Sequence, residues 1–179
     1  MVVARTPALT IRTVTAGQSV QYNEFFRSGV EAHPESFRIV SDDFKDLPFD
    51  PSSTEDRFTL VASTEEGEWI GVVSVECETG RQKRRHIAWL VRMYVAASAA
   101  GRGVGRLLLR AAIAQSQNNL PGVEQLNLTV LAKNEPAKRL YLSEGFVRFA
   151  HEPDALRDSH GIYHAEEQLR VSLRANKTG

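Results

Sequence analysis

The sequence has few of the features that mark secreted, metal-binding or membrane proteins. Its 179 residues include one cysteine, Cys77, which excludes a disulfide within the chain and a thiolate metal cluster. No apolar run approaches the roughly 20 residues that span a bilayer, and residues 1–12 lack the basic-then-apolar order of a signal peptide. We therefore expect a cytoplasmic protein with reduced thiols and no membrane partner.

An excess of charge of one sign is also absent. The 22 Lys and Arg residues balance the 22 Asp and Glu residues, so the molecule has no overall field that would attract nucleic acid. The basic run at residues 81–85 could bind phosphate, although a solvated hairpin turn explains it equally well. We expect no nucleic-acid partner, and a flat salt response would exclude that alternative.

Histidines in a metal-ligand pattern are missing as well. His151, His160 and His164 have no ligand spacing, so no metal site is expected. The composition is 42% hydrophobic and 25% charged, which is ordinary for a globular protein. The length suits one domain rather than two.

Hydrophobic periodicity predicts an order of helices and strands. The predicted helices are residues 20–30, a segment from near Gly103 to just before Pro121, and residues 136–143. The predicted strands are residues 57–63, 68–76, 86–95, 124–131, 146–151 and 162–173, with a polar turn at 153–161. Residues 36–54 are predicted to be irregular. Strict alternation would place Met93 and Val95 on one face with Ile87, Trp89 and Val91.

A small-residue turn joins strand 86–95 to the next helix, and its glycines are Gly101, Gly103 and Gly105. The first amides of a helix have no partner within it and carry partial positive charge, so they suit a phosphate. Glycine lets a pyrophosphate approach the main chain and permits left-handed torsions. A tight connection alone would favour glycine too. The P-loop ending Gly-Lys-Ser/Thr is absent because Arg106 follows Gly105, and the Rossmann pattern is a poor match.

Two motifs lie in order along the chain. In the first, Met93-Tyr94-Val95 leads into Ala100-Gly101-Arg102-Gly103-Val104-Gly105; in the second, Asn134-Glu135-Pro136-Ala137 precedes Tyr141 and Gly145-Phe146. Together they resemble the GNAT superfamily of acyl-CoA-dependent N-acyltransferases, whose cofactor motif is Gln/Arg-x-x-Gly-x-Gly/Ala. Ala100 departs from it at the Gln/Arg position.

The resemblance implies the fold. We expect a single α/β (α+β) domain over residues 1–179, with its core at about 11–173 and a frayed tail at 174–179. The sheet would be mixed, mostly antiparallel, of about six or seven strands, and flanked by helices. The strand ending at Val95 and the strand containing Leu128 would splay to hold acyl-CoA. The exposed edges of the last hairpin are compatible with a homodimer.

The resemblance also implies how acetyl-CoA is held. No metal is expected in the site. Backbone groups of Met93 and Val95 would pair with the pantetheine arm, and Asn134 would bond it from the other side. The pyrophosphate would lie on the amides of Gly101, Arg102, Gly103, Val104, Gly105 and Arg106. Tyr141 would be the general acid for the departing thiolate, since a phenol with a pKa of about 10 suits that role. Packing at helical spacing with Ala137 and Leu140 is the other interpretation of Tyr141.

A general base is harder to assign. Many relatives carry a glutamate early in the strand before the glycine turn, whereas residues 87–91 contain no carboxylate. Glu76, His86 or a water chain could take that role, and phenylalanines from Phe37 to Phe49 could wall the amine pocket. The predicted function is acetyl transfer from acetyl-CoA to a primary amine of a small molecule or peptide, by direct attack on the thioester. A non-catalytic acyl-CoA binding module is the alternative.

Overall fold

One seven-stranded sheet organises residues 9–174, the part of the chain that this computed structural model describes. The strands are β1 (Thr10–Thr13), β2 (Arg57–Ser63), β3 (Trp69–Cys77), β4 (Ile87–Val95), β5 (Gln125–Leu131), β6 (Val147–Arg157) and β7 (Tyr163–Ser172). Their order in the sheet is β1-β2-β3-β4-β5-β7-β6. The pairing of β4 with β5 is parallel and the other pairings are antiparallel. The predicted fold class, a mixed and mostly antiparallel sheet, is therefore confirmed.

Helices cover both faces of this sheet. Helix α1 (Ser19–Ala32) packs Tyr22, Phe26 and Val30 against one face. Helices α2 (Val104–Asn119) and α3 (Glu135–Ser143) pack against the other face, where Leu108 and Tyr141 join the larger hydrophobic cluster. We call these faces the α1 side and the α2 side. Within residues 9–174, no helix combines the length and apolar character of a membrane span.

Two strands differ from the predicted ones. Strand β1 was not predicted, because it is four residues long and largely exposed, which leaves little hydrophobic pattern. Strand β6 continues to Arg157, through most of the predicted polar turn. The turn narrows around Asp158, whose Oδ1 accepts hydrogen bonds from the amides of His160 and Ile162. Residues 175–179 of the predicted frayed tail lie outside the described residues.

The predicted single face of β4 is wrong because the strand contains a β-bulge. Val72 of β3 lies opposite Tyr94, but Ser74 lies opposite Val91, so β4 carries one extra residue between them. Arg92 has a left-handed φ of 50° there. Each bulge shifts the alternation by one residue. Met93 and Val95 consequently pack with the α2-side cluster rather than across the sheet from it.

Strands β4 and β5 separate after a short common stretch. They pair only from Ile87 opposite Gln125 to Trp89 opposite Asn127. Beyond that point β4 continues to Val95 and β5 to Leu131, but the two strands no longer pair with each other. The splayed central strands predicted from the sequence are therefore present.

Candidate active site

The gap between β4 and β5 opens into a cavity of about 460 Å³ that reaches both faces of the sheet. Tyr141 and Asn134 line it from the α2 side. Phe37 and Phe49 line it from the α1 side. A ligand placed in the gap can therefore be reached by a second molecule from the opposite face.

The turn after β4 presents a row of free amides. Arg102 N donates to Ala99 O at 3.3 Å, and Leu107 N donates to Gly103 O at 3.0 Å. Between and around them, five amides have no acceptor within residues 9–174: those of Gly101, Gly103, Val104, Gly105 and Arg106. Because they lie at the positive end of the 16-residue helix α2, the turn is suited to an anion.

The glycines of the turn have two different reasons to be glycine. Gly101 and Gly103 have φ of 73° and 78°, and a Cβ at either position would meet nothing within 4 Å. Their requirement is thus the left-handed backbone, and the space beside them is open. A Cβ on Gly105 would instead come within 3.2 Å of Leu140 on α3, so this glycine permits close helix packing.

Few positive side chains are free to assist the amides of the turn. Arg106 Nε lies 3.0 Å from Glu144 Oε1, and Arg110 makes a second ion pair with the same carboxylate. These pairs tie α2 to the end of α3. Arg102 is exposed beside the turn. The turn therefore offers an anion mainly backbone amides.

The backbone of β4 offers further unpaired groups inside the gap. Ala96 N donates to Ile70 O at 2.9 Å, so Ala96 directs its backbone groups toward β3. Successive residues of a strand direct these groups to opposite neighbours. Those of Val95 and Met93 consequently face the gap toward β5, where no strand pairs with them. They suit an extended amide-bearing ligand.

Asn134 lies on the far side of the same gap. Its Oδ1 accepts a hydrogen bond from Ala137 N at 3.2 Å and so caps α3. Within residues 9–174 its Nδ2 group has no hydrogen-bond partner, and Asn134 lines the cavity. The side chain can therefore cap the helix and donate into the gap at once.

Tyr141 is buried on α3 and its hydroxyl points toward β4. The hydroxyl donates to Met93 Sδ at 3.6 Å, and the ring centroid lies 5.8 Å from that of Phe146. Burial raises the pKa of Tyr141 to about 12. The phenol is therefore protonated at physiological pH, and its raised pKa makes it a weaker acid than a free phenol.

Aromatic rings form the α1-side wall. Tyr94 packs against Phe25, His33 and Phe37, with centroid distances of 5.2, 6.4 and 6.2 Å. Gly29 makes room for it, since a Cβ there would lie 2.7 Å from the Tyr94 ring. The sequence indicated that aromatic residues from Phe37 to Phe49 wall a pocket, and both of these residues do line the cavity.

A buried polar network supports the bulge in β4. Arg92, whose side chain is only 10% exposed, is hydrogen bonded to a carboxylate oxygen of Glu76. Its Nε donates to the hydroxyl of Tyr22 at 3.0 Å, and its guanidinium lies 4.4 Å from the ring centroid of Phe49. These contacts hold a non-glycine residue in a left-handed conformation, which costs energy on its own.

The two residues that the sequence offered as general base lie away from the cavity. Glu76 is at the end of β3 with its carboxylate on Arg92. His86 immediately precedes β4, at the same end of the sheet as Glu76, and its carbonyl accepts from the amides of Glu124 and Gln125. Neither is among the described residues that line the cavity.

The carboxylate that does line the cavity belongs to Glu166 of β7. It is 3% exposed and pairs with Arg38, which follows α1. Sequence reasoning missed it because β7 is remote from both motifs. One feature of the sequence could have pointed to it: two adjacent acidic residues, Glu166 and Glu167, lie inside the predicted strand 162–173. Within residues 9–174, no group of three His, Cys, Asp or Glu side chains could hold a metal ion.

Comparison with known proteins agrees with this geometry. The model of the Acetyltransferase (GNAT) family matches residues 21–146. A GNAT-family acetyltransferase from Streptococcus pneumoniae superposes with a TM-score of 0.80 at 23% identity, covering 92% of this chain and 99% of that one. No curated protein sequence matches the chain.

Two further solved structures share the fold. A candidate acetyltransferase from Salmonella typhimurium, solved with its cofactor acetyl-CoA, has a TM-score of 0.74 at 18% identity over 96% of this chain and 98% of that one. The ribosomal-protein alanine N-acetyltransferase from Escherichia coli has a TM-score of 0.71 at 17% identity over 96% and 99%. At such identities the likeness extends to the fold.

Proposed function

The chain belongs to the acetyltransferase (GNAT) family, and from that premise we propose that it transfers the acetyl group of acetyl-CoA to a primary amine of a small molecule or peptide. The observation that carries the proposal is the row of free amides at the start of α2, beside a gap that opens to both faces. Acetyl-CoA would lie on the α2 side and the amine would enter from the α1 side.

The chain fits acetyl-CoA at three places along the gap. The amides of Gly101, Gly103, Val104, Gly105 and Arg106 would hold the pyrophosphate, with a weaker contribution from Arg102, whose amide already donates to Ala99. Backbone groups of Met93 and Val95 would bond the pantetheine arm from one side and Asn134 from the other. When bound, acetyl-CoA supplies an activated acetyl group as a thioester.

Tyr141 would supply the proton that the leaving thiolate needs. Its burial keeps the phenol neutral, and its hydroxyl points into the gap at Met93. A positioned general acid typically accelerates such a step by about 100- to 10,000-fold. The role of Glu76 as general base remains a prediction. Because its carboxylate bonds Arg92, Glu76 would accept a proton from the amine through a water molecule.

The deciding experiment combines binding with turnover. Calorimetry should show that acetyl-CoA binds the purified protein, and a panel of small amines and peptide N-termini should include at least one that releases coenzyme A. If acetyl-CoA does not bind, the proposal fails. Binding without turnover across the panel would instead support a non-catalytic acyl-CoA module, the reading that the missing β4 carboxylate favours.

A further inference from the structure

The α1 side of the cavity contains a carboxylate that no hydrogen-bond requirement of the fold explains. Glu166 lies opposite Leu131 in the β5–β7 ladder, so its backbone position is fixed by the sheet. Its side chain points to the α1 side, whereas the adjacent Glu167 points to the α2 side and contacts Lys138 of α3. Glu166 therefore faces the region from which an amine would enter.

One oxygen of this carboxylate lacks a hydrogen bond. Arg38 donates from its NH2 group to Glu166 Oε2 at 3.1 Å. Arg38 Nε forms an ion pair with Oε1 at 2.9 Å but without the angle of a hydrogen bond, so Oε1 is buried with a nearby positive charge and no hydrogen-bond donor. Buried charged oxygens without donors are costly and uncommon. An additional donor from the cavity would satisfy Oε1.

The partner of Glu166 is much more exposed to solvent than Glu166 itself. Arg38 belongs to the segment between α1 and β2, and its side chain is 56% exposed, whereas that of Glu166 is 5% exposed. The pair thus consists of a fixed buried anion and a solvent-accessible cation. Phe37 and Phe49 stand beside them in the cavity wall and offer apolar contact to the body of a ligand.

We propose that Glu166 binds the ammonium group of the acceptor, and that the protein therefore selects cationic primary amines with an apolar or aromatic body. This inference rests on the proposed acetyl transfer and deepens it. Glu166 Oε1 accepts a hydrogen bond from the ammonium, and the surrounding apolar wall strengthens that charged contact by excluding water. A neutral alcohol of the same shape can also donate to Oε1, but its contact is weaker because it brings no positive charge.

The test uses matched pairs of probes that differ only in charge. Phenethylamine and hexylamine are titrated by calorimetry into the full-length protein saturated with coenzyme A, with 2-phenylethanol and 1-hexanol as their neutral counterparts. We expect an amine to bind about 10- to 100-fold more tightly than its alcohol, the range of a charge-assisted hydrogen bond. Equal binding of amine and alcohol, or no binding of either amine, overturns the proposal.

Three variants separate binding from a structural role. Glu166→Gln keeps the shape and should remove the preference for amines. Arg38→Gln should tighten amine binding a few-fold, because it leaves the carboxylate without its competing cation. Glu167 is a neighbouring carboxylate on the α2 side, and Glu167→Gln should leave the preference for amines unchanged. If Glu166→Gln and Arg38→Gln weaken amine binding alike, the pair is structural and the inference is wrong.

The same samples keep this inference apart from the proposed transferase activity. Acetyl-CoA is titrated into the wild type and into Glu166→Gln, and both should bind it equally because Glu166 lies on the α1 side. Loss of acetyl-CoA binding in the wild type would contradict the proposed function. Normal acetyl-CoA binding with no preference for amines over alcohols would contradict only the role of Glu166.

Discussion

The two sides of the cavity offer different kinds of groups to a ligand. On the α2 side the groups that would bind acetyl-CoA are largely backbone amides and carbonyls within residues 93–106. On the α1 side the groups that would contact an amine are side chains from separate segments, including Phe37, Arg92 and Glu166. A backbone site depends on local conformation, so a short motif encodes it. A side-chain site depends on tertiary assembly, so it can change its ligand while the fold persists.

The largest expected effect concerns Tyr141, the α2-side side chain that we propose as the general acid. Tyr141→Phe keeps the ring packing against Phe146 and removes the hydroxyl. We expect kcat to fall about 100-fold, as for loss of a general acid, while the dissociation constant of acetyl-CoA stays within about twofold. Steady-state assays of coenzyme A release measure kcat, and calorimetry measures the dissociation constant of acetyl-CoA.

A matched control is Tyr163→Phe, since Tyr163 is exposed on the last hairpin. It should leave kcat unchanged. If Tyr141→Phe retains full kcat, the tyrosine serves packing alone. None of the side chains predicted on the α2 side would then be catalytic.

The next largest effect tests whether the α2 side depends on backbone conformation. Gly103→Ala forces a Cβ onto a residue with φ of 78°, at a cost of about 1–2 kcal/mol. We expect acetyl-CoA to bind at least about tenfold more weakly, because the amides beside Gly103 lose their alignment. Calorimetry with acetyl-CoA and a denaturation curve measure affinity and stability separately.

Gly67→Ala supplies the comparison for this variant. Gly67 lies in the β2–β3 turn with φ of 86°, and a Cβ there would also meet nothing within 4 Å. It should lose similar stability but no affinity for acetyl-CoA. Equal affinity losses in both variants would mean that Gly103 acts only through global stability.

A smaller effect is expected where the two sides meet, at the bulge of β4. Arg92→Met removes the hydrogen bonds to Glu76 and Tyr22. Breaking a buried ion pair costs about 3–5 kcal/mol, but Glu76 is partly exposed and regains water, so we expect a loss of about 2 kcal/mol in unfolding free energy. The KM for acetyl-CoA should rise several-fold, because the bulge orients Met93 and Val95.

Arg84→Met is the control for that loss. Arg84 pairs with Glu78 on the exposed β3–β4 hairpin, and such surface pairs contribute little. Its unfolding midpoint and its KM for acetyl-CoA should therefore match the wild type. If Arg92→Met also leaves both quantities unchanged, the network beneath the bulge does not position β4.

The same contrast explains what the sequence could predict. The turn at Gly101 and Gly103, the cap at Asn134 and the splay of β4 from β5 follow from contiguous residues or from the family resemblance. The bulge at Arg92 could not be predicted from the sequence, because the alternation of apolar residues continues unbroken through Met93 and Val95. It became visible only through the register with β3.

Glu166 was missed for a related physical reason. Its significance depends on Arg38, 128 residues away in sequence, and on the open gap beside β5. Periodicity reports which side chains are apolar on one element, but it does not report which polar side chain of a distant strand faces a cavity. Glu76 drew attention for its place near β4, and its carboxylate proved to be bonded to Arg92.

The smallest expected effect concerns the protonation of Tyr141 and gives a sharper view of its burial. Its pKa is raised by burial from 10.0 to about 12, so the folded protein holds the phenolic proton more tightly than the unfolded chain does. The unfolding free energy is thus unaffected below about pH 10 and falls as pH rises toward 12, by about 1.4 kcal/mol at pH 11. Urea denaturation at pH 8 and pH 11 measures that loss. Burial also raises the pKa of Tyr22, so Tyr141→Phe is the reference: it should lose less stability than the wild type over this interval, and equal losses would show that the phenol of Tyr141 is accessible to water.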